Sequence, residues 1–222
     1  PLGTLVLMLV LFGVVFLHEL GHSLVARYFG IRVLDITFWL LGGMARMSEI
    51  PEKPKVEALI AIAGPAVNFA LAALTLPVLI AAGLIDLFGE SGIEASWNTT
   101  MGRLALGFLA INLALGVFNL VPAFPMDGGR VLRAIFGMYT DWVTATRRAV
   151  TVGRVFAGLM IAIGLYSLFM GQGLSFLPLI GLFVWFAGAR ELWAVRMRHG
   201  DIPGLAMAGP RGPVFVSLAM EH

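Results

Sequence analysis

The chain has 222 residues, of which 59% are hydrophobic and 13% are charged. A soluble domain carries about 25% charged residues, so this composition excludes an ordinary soluble protein. The net charge of +2 comes from scattered basic residues without interleaved aromatics, which gives no indication of a nucleic-acid partner, and the absence of cysteine excludes disulfides.

Five stretches of the chain are long and apolar enough to cross a membrane as helices. About 20 apolar residues are needed to cross the hydrocarbon core, and these runs are too long and continuous for barrel strands. The sequence therefore predicts an all-α polytopic membrane protein. The predicted helices are Leu2–Arg27, Val56–Leu87, Thr99–Val121, Arg147–Met170 and Leu174–Met197.

Lysine and arginine are concentrated in alternate loops between the predicted helices. They occur in the loops after the first, third and fifth predicted helices, and the segment 86–100 between the second and third has none. By the positive-inside rule, the visible N-terminus is expected outside and the C-terminus in the cytoplasm. A transmembrane domain is predicted over 1–198, followed by a tail rich in Pro and Gly over 199–222.

The segment from Ile31 to Glu49 does not resemble a membrane span. It mixes β-branched and aromatic residues with Gly42 and Gly43. This pattern favours a short hairpin or re-entrant loop at the cytoplasmic interface. The alternative is an interfacial anchor built on aromatic side chains.

A metal-binding motif lies inside the first predicted helix. His18, Glu19 and His22 form H-E-x-x-H, in which the histidines are four residues apart and so share one helix face. Two imidazoles on one face can bind one zinc ion, and Glu19 is rotated by about 100° to a place beside the metal that suits a general base. The alternative for such an intramembrane cluster is a polar path for ions or protons.

Catalytic zinc usually has three protein ligands, so the two histidines need a partner from elsewhere. Asp127 is the best candidate, because Pro122 and Pro125 should break the third helix and Gly128 lets the backbone turn sharply after the carboxylate. Asp127 is also expected at the same depth and on the same side as His22. The alternative is a turn in which Asp127 caps the following helix.

Three motifs in order resemble the site-2 protease family of zinc intramembrane metalloproteases. HELGH is followed by Ala26 and Gly30 at the family's spacing, GPAVN resembles its Gly-Pro motif, and NLVPAFPMDGGR resembles its Asn-Pro-Asp-Gly motif. The resemblance covers about Leu2 to Arg198. It implies a further helix ahead of Pro1, which would make six in all.

The resemblance also assigns roles to single residues. It implies that His18, His22 and Asp127 bind one zinc ion per chain and that Glu19 activates the water. It implies that Asn119 stabilises the reacting carbonyl oxygen. A substrate-binding role for Asn68 follows less directly, since an interhelical hydrogen bond would also explain this residue.

The expected function is therefore hydrolysis of a peptide bond within or next to a substrate's transmembrane helix, as in regulated intramembrane proteolysis. The expected partners are a transmembrane protein substrate and the lipid bilayer. Other zinc peptidases of membranes take their third ligand from a later helix, where Glu191 is the candidate. The non-enzymatic alternative is a membrane metal transporter or a non-catalytic adaptor. A transporter would have metal ligands at several depths in the membrane.

Overall fold

A computed structural model of the chain describes residues 2–39, 42–47, 52–83, 100–171 and 175–201. Five of its helices are long and apolar enough to cross a membrane, which confirms the predicted all-α polytopic class. A shorter helix and a hairpin accompany them. The elements are α1 (Leu2–Tyr28), β1 (Val33–Trp39), β2 (Gly42–Met47), α2 (Pro54–Ala81), α3 (Thr100–Asn119), α4 (Asp127–Gly137), α5 (Trp142–Phe169) and α6 (Leu177–Arg198).

The largest differences from the predicted helix ends occur in two helices, while the other ends differ by at most three residues. The second helix was predicted to reach Leu87 but ends at Ala81, followed by Gly83 at a φ of 67°. The fourth was predicted to begin at Arg147 but begins at Trp142, where the Asp141 carboxylate caps it by accepting a hydrogen bond from the Thr144 amide at 2.9 Å. Hydrogen bonding from Thr144, first from its side chain and then from its backbone amide, lowers the pKa of Asp141 below its ordinary value.

The hairpin lies in the segment for which a hairpin or re-entrant loop was predicted. β1 and β2 pair antiparallel, with Ile36 opposite Ala45 and Trp39 opposite Gly42. Both strands pack against α1. Which side of the membrane the hairpin occupies stays a prediction.

α2 is the central helix of the part that carries the predicted site residues. It packs against α1, α3 and α4, while α5 packs against α4 and α6. The sequence did not predict α4 as a separate helix. Residues 202–222 of the predicted tail lie outside the described residues, so the division at 198 stays a prediction.

Candidate metal centre

The two histidines of the first helix meet as their spacing predicts. His18 and His22 are 4% and 5% exposed, and their Nε2 atoms are 3.2 Å apart. Their rings stand edge to face, at an interplanar angle of 87°. A single face of α1 thus presents two imidazole nitrogens to one point inside the protein.

Asp127 supplies the third atom at that point. Its Oδ2 lies 3.2 Å from Nε2 of His18 and 3.2 Å from Nε2 of His22. Asp127 is the first residue of α4, where Met126 occupies the cap position, so the carboxylate faces the histidines and makes no cap. The predicted alternative, in which Asp127 caps this helix, is therefore wrong.

A close backbone approach fixes where Asp127 points. A Cβ on Gly128 would lie 2.4 Å from the carbonyl oxygens of Leu120 and Val121. Only glycine therefore fits where the start of α4 contacts the loop between α3 and α4. Gly129 is similarly confined, with the Ala123 carbonyl carbon 2.7 Å from its Cβ position. The Gly-Gly pair after Asp127 thereby allows the start of α4 to press against the chain that precedes it.

Hydrogen bonds to the far side of the rings determine which nitrogens are protonated. Asn112 must donate to the Phe108 carbonyl at 2.9 Å, because a carbonyl oxygen only accepts. Its Oδ1 therefore accepts from Asn68 Nδ2 at 3.1 Å, and Asn68 Oδ1 accepts from Nδ1 of His18 at 2.5 Å. In the neutral ring, Nε2 of His18 then carries a lone pair.

His22 is held in the same tautomer by a different partner. Its Nδ1 donates to the Ile60 carbonyl at 2.7 Å. Gly64, one turn further along α2, makes room for both rings, since a Cβ there would lie 2.3 Å from His22 Nε2 and 2.8 Å from His18 Cε1. One face of α2 thus orients the imidazoles and leaves the space that they occupy.

The three converging atoms fit a zinc ion. Two ring lone pairs and one carboxylate oxygen face each other, and among the described residues Asp127 Oδ2 is buried without a hydrogen-bond donor. Ligand atoms about 2.0–2.1 Å from a tetrahedral zinc lie about 3.3–3.4 Å apart. The three separations of 3.2 Å agree with that arrangement.

Glu19 lies beside this group without belonging to the triangle. It is half-buried on α1, and its carboxylate lies within 4.8 Å of ring nitrogens of both histidines. This is the place in which a general base was predicted.

Two predicted site residues have other partners. Asn119, the last residue of α3, donates from its side-chain amide to the Leu115 carbonyl of its own helix at 3.0 Å. Glu191, the alternative third ligand, instead accepts a hydrogen bond from Arg133 at 2.5 Å. The alternative ligand set through Glu191 is therefore wrong.

The substrate-binding role predicted for Asn68 needs correction. Asn68 is 0% exposed and lies behind His18, with hydrogen bonds to His18 and Asn112. It has no surface to offer a substrate, and its side chain instead orients the His18 ring. Sequence reasoning missed Asn112, although an asparagine in the middle of an apolar span was the available signal.

The chain is similar to known zinc metalloproteases. The family model described as peptidase family M50 matches residues 6–88 and 81–164. A zinc metalloprotease of Methanocaldococcus jannaschii is 37% identical over 186 residues, covering 84% of this chain and 49% of its own length. The protein Rip3 of Mycobacterium tuberculosis is 38% identical over 180 residues, covering 78% of this chain and 42% of its own length.

A solved structure is similar over much of the fold. The site-2 protease from Methanocaldococcus jannaschii superposes with a TM-score of 0.58 at 38% identity, over 84% of this chain and 77% of that one. The chain spans about half the length of the curated relatives it matches.

Proposed function

Because the chain belongs to peptidase family M50, the site-2 protease family, we propose that it is an intramembrane zinc metalloprotease. One observation carries the proposal: three potential ligand atoms, each buried, converge at 3.2 Å from one another. Their convergence at one point also favours a protease over a transporter, whose ligands would lie at several depths.

His18, His22 and Asp127 would hold one zinc ion per chain. When bound there, zinc would lower the pKa of a water molecule toward about 7 and polarise the scissile carbonyl. Glu19 would take the proton of the attacking water and pass it to the leaving amine. Its half-buried position beside both histidines suits this role, because the carboxylate is close to the reacting atoms without competing as a ligand.

Asn119 would stabilise the oxyanion with an N–H of its side-chain amide. Its hydrogen bond to the Leu115 carbonyl uses one of the two N–H donors of that nitrogen. Asn119 is the last helical residue and is only partly buried, which suits a contact with substrate through the second N–H.

The substrate would be a transmembrane protein, cleaved within or next to its membrane-spanning helix. Such a helix must unwind before its peptide bonds can be cut. β1 offers an edge at which an unwound strand could pair. A cavity of about 630 Å³ opens beside its start, lined by residues of α1, of the connection to β1 and of β1 itself, which include Ser23, Arg27 and Val33.

The protein is an integral multi-pass membrane protein, and the metal centre would lie near the cytoplasmic face. His22 precedes Tyr28, the end of α1, by six residues, which is about 9 Å along the helix. Basic residues follow this end of α1, as expected for a cytoplasmic flank.

Cleavage of a single-span reporter by detergent-purified protein tests the proposal. We expect wild type to cut the reporter within its span and to hold one zinc ion. Glu19→Gln should hold zinc and lose at least about 100-fold in cleavage rate, because general-base catalysis is removed. Glu52→Gln is the matched control, since Glu52 is an exposed glutamate ahead of α2.

Three results would contradict the proposal. Absence of zinc from wild type would remove the metalloprotease assignment. Undiminished cleavage by Glu19→Gln would remove the assigned base, and zinc binding without cleavage of any spanning reporter would favour the non-catalytic alternative.

A further inference from the structure

A buried ion triad outside the metal centre joins three helices. Arg133 of α4 donates from Nε to both carboxylate oxygens of Glu57 in α2, at 3.1 and 3.2 Å, and its Nη2 also donates to Glu57. Its Nη1 donates to Glu191 of α6 at 2.5 Å. Arg133 and Glu57 are only 6% and 3% exposed, whereas the Glu191 side chain is 34% exposed.

Aromatic rings complete the surroundings of this guanidinium. Arg133 Cζ lies 5.1 Å from the ring centroid of Phe124 and 5.1 Å from that of Trp142. Phe124 belongs to the loop that leads to Asp127, and Trp142 begins α5. Burial opposes the charge of Arg133, but the two carboxylates raise the pKa of its guanidinium, so the group stays a cation.

The triad connects the two halves of the metal centre. Glu57 precedes Ile60 by about one turn of α2, and the Ile60 carbonyl holds His22. Arg133 follows Asp127 by six residues within the short helix α4. The Glu57–Arg133 pair therefore ties the helix that orients the imidazoles to the helix that carries the carboxylate.

We infer that Arg133 is a positioning residue of the metal centre. By pairing with Glu57 it fixes α4 against α2, and so holds Asp127 opposite His18 and His22. The inference rests on the proposed function, since it takes zinc to be the ion that these residues bind.

Stability alone does not account for such a pair. Replacing a buried ion pair by apolar residues of similar size is often neutral, whereas removing one partner leaves an uncompensated buried charge. A double replacement can therefore preserve folding while it removes the geometric constraint. This separates a positioning role from a structural one.

The test compares the full chain with its Glu57→Met/Arg133→Met double variant in detergent. Thermal unfolding of the metal-free proteins measures folding, and competition with a chelator measures the dissociation constant for zinc. We expect similar unfolding temperatures and zinc binding weakened by about 10-fold, as for other residues that support metal ligands. The visible spectrum of the cobalt-loaded protein should change as well, because it reports ligand geometry.

A matched control uses an ion pair between α5 and the residues after α6, neither of which carries a proposed metal ligand. Arg147 and Asp201 form an exposed pair at 3.7 Å, and Arg147→Met/Asp201→Leu should leave zinc affinity unchanged. A folded Glu57→Met/Arg133→Met variant with the zinc affinity of wild type would overturn the inference.

A second variant keeps the inference testable if the double variant does not fold. Arg133→Lys retains the charge but lacks the planar guanidinium group, whose several N–H donors reach two carboxylates. Zinc binding should therefore weaken again. Unchanged affinity in folded Arg133→Lys would overturn the inference. Failure of wild type to bind zinc would instead remove the proposed function, and this inference with it.

Discussion

Adding a single methyl group at Gly64 should strongly weaken metal binding. A Cβ at this position would lie 2.3 Å from His22 Nε2 and 2.8 Å from His18 Cε1. Gly64→Ala is therefore expected to displace both rings and to raise the zinc dissociation constant by at least about 10-fold. Gly158→Ala is the control, because a Cβ there meets only open space. Equal zinc affinity in the two variants would contradict the packing described for α2.

Asn68 should orient the His18 imidazole directly, and Asn112 should do so indirectly, by orienting Asn68. Asn68→Leu removes the acceptor of His18 Nδ1 and should weaken zinc binding by about 10- to 100-fold. Asn112→Leu leaves that acceptor in place and removes only the group that orients Asn68, so its effect should be smaller. Chelator competition on both purified variants measures how much zinc affinity each one loses. A larger effect from Asn112→Leu than from Asn68→Leu would contradict the indirect role assigned to Asn112.

The helices were predictable from the sequence because their apolar runs are long, but their ends depend on single residues. α5 begins at Trp142 because Asp141 caps it. The predicted helix began later, at Arg147, because Arg147 and Arg148 were counted as loop residues. The three residues proposed to hold zinc could also be selected from the sequence, because H-E-x-x-H supplies two of them and the Gly-Gly pair follows Asp127.

Partners across helices were not predictable in the same way. Whether Asn68 faces a substrate or His18 depends on how α2 is rotated against α1, and apolar residues on every side of the helix give no signal for that rotation. The partner of Arg133 was equally hidden, since as a charge near a helix end it was counted only as a topology marker. Periodicity locates an element, but packing decides what its side chains meet.

β1 is the element whose backbone can be tested against the proposed pairing with substrate. Neighbouring residues of a strand direct their amides to opposite edges, so Ile36→Pro and Thr37→Pro each remove a donor from a different edge. Both should slow cleavage of the spanning reporter while zinc content stays that of wild type. Ile36→Val and Thr37→Val are the controls, because they retain the amide. Undiminished cleavage by both proline variants would exclude pairing at β1.

Large apolar side chains are exposed over much of the part of the chain that the structure describes. Leu9, Leu74 and Phe186 are 63%, 69% and 64% exposed, whereas Asn68 and Asn112 are fully buried. Lipid solvates the outer side chains, so close packing and interhelical hydrogen bonds must hold the helices together. The metal centre and the ion triad therefore lie in the part of the protein where polar groups find partners.

The orientation of the molecule in the membrane yields a prediction for its two sides. Tyr139, 82% exposed, lies between α4 and α5, and Met170, 58% exposed, follows the end of α5. If α5 crosses the membrane, these residues lie on opposite sides, and the basic flanks place Tyr139 in the cytoplasm. The chain contains no cysteine, so Tyr139→Cys and Met170→Cys each introduce a single thiol without background.

A maleimide that cannot cross membranes measures the sidedness of these two thiols. In intact cells it should label Met170→Cys, and it should label Tyr139→Cys only after the membrane is opened. His199→Cys, just beyond α6, should behave like Tyr139→Cys because one further span separates it from Met170. Labelling of Tyr139→Cys and Met170→Cys from the same side would exclude α5 as a span. The reverse pattern would keep all five spans but move the metal centre away from the cytoplasmic face, because Tyr28 and Tyr139 must then both lie outside.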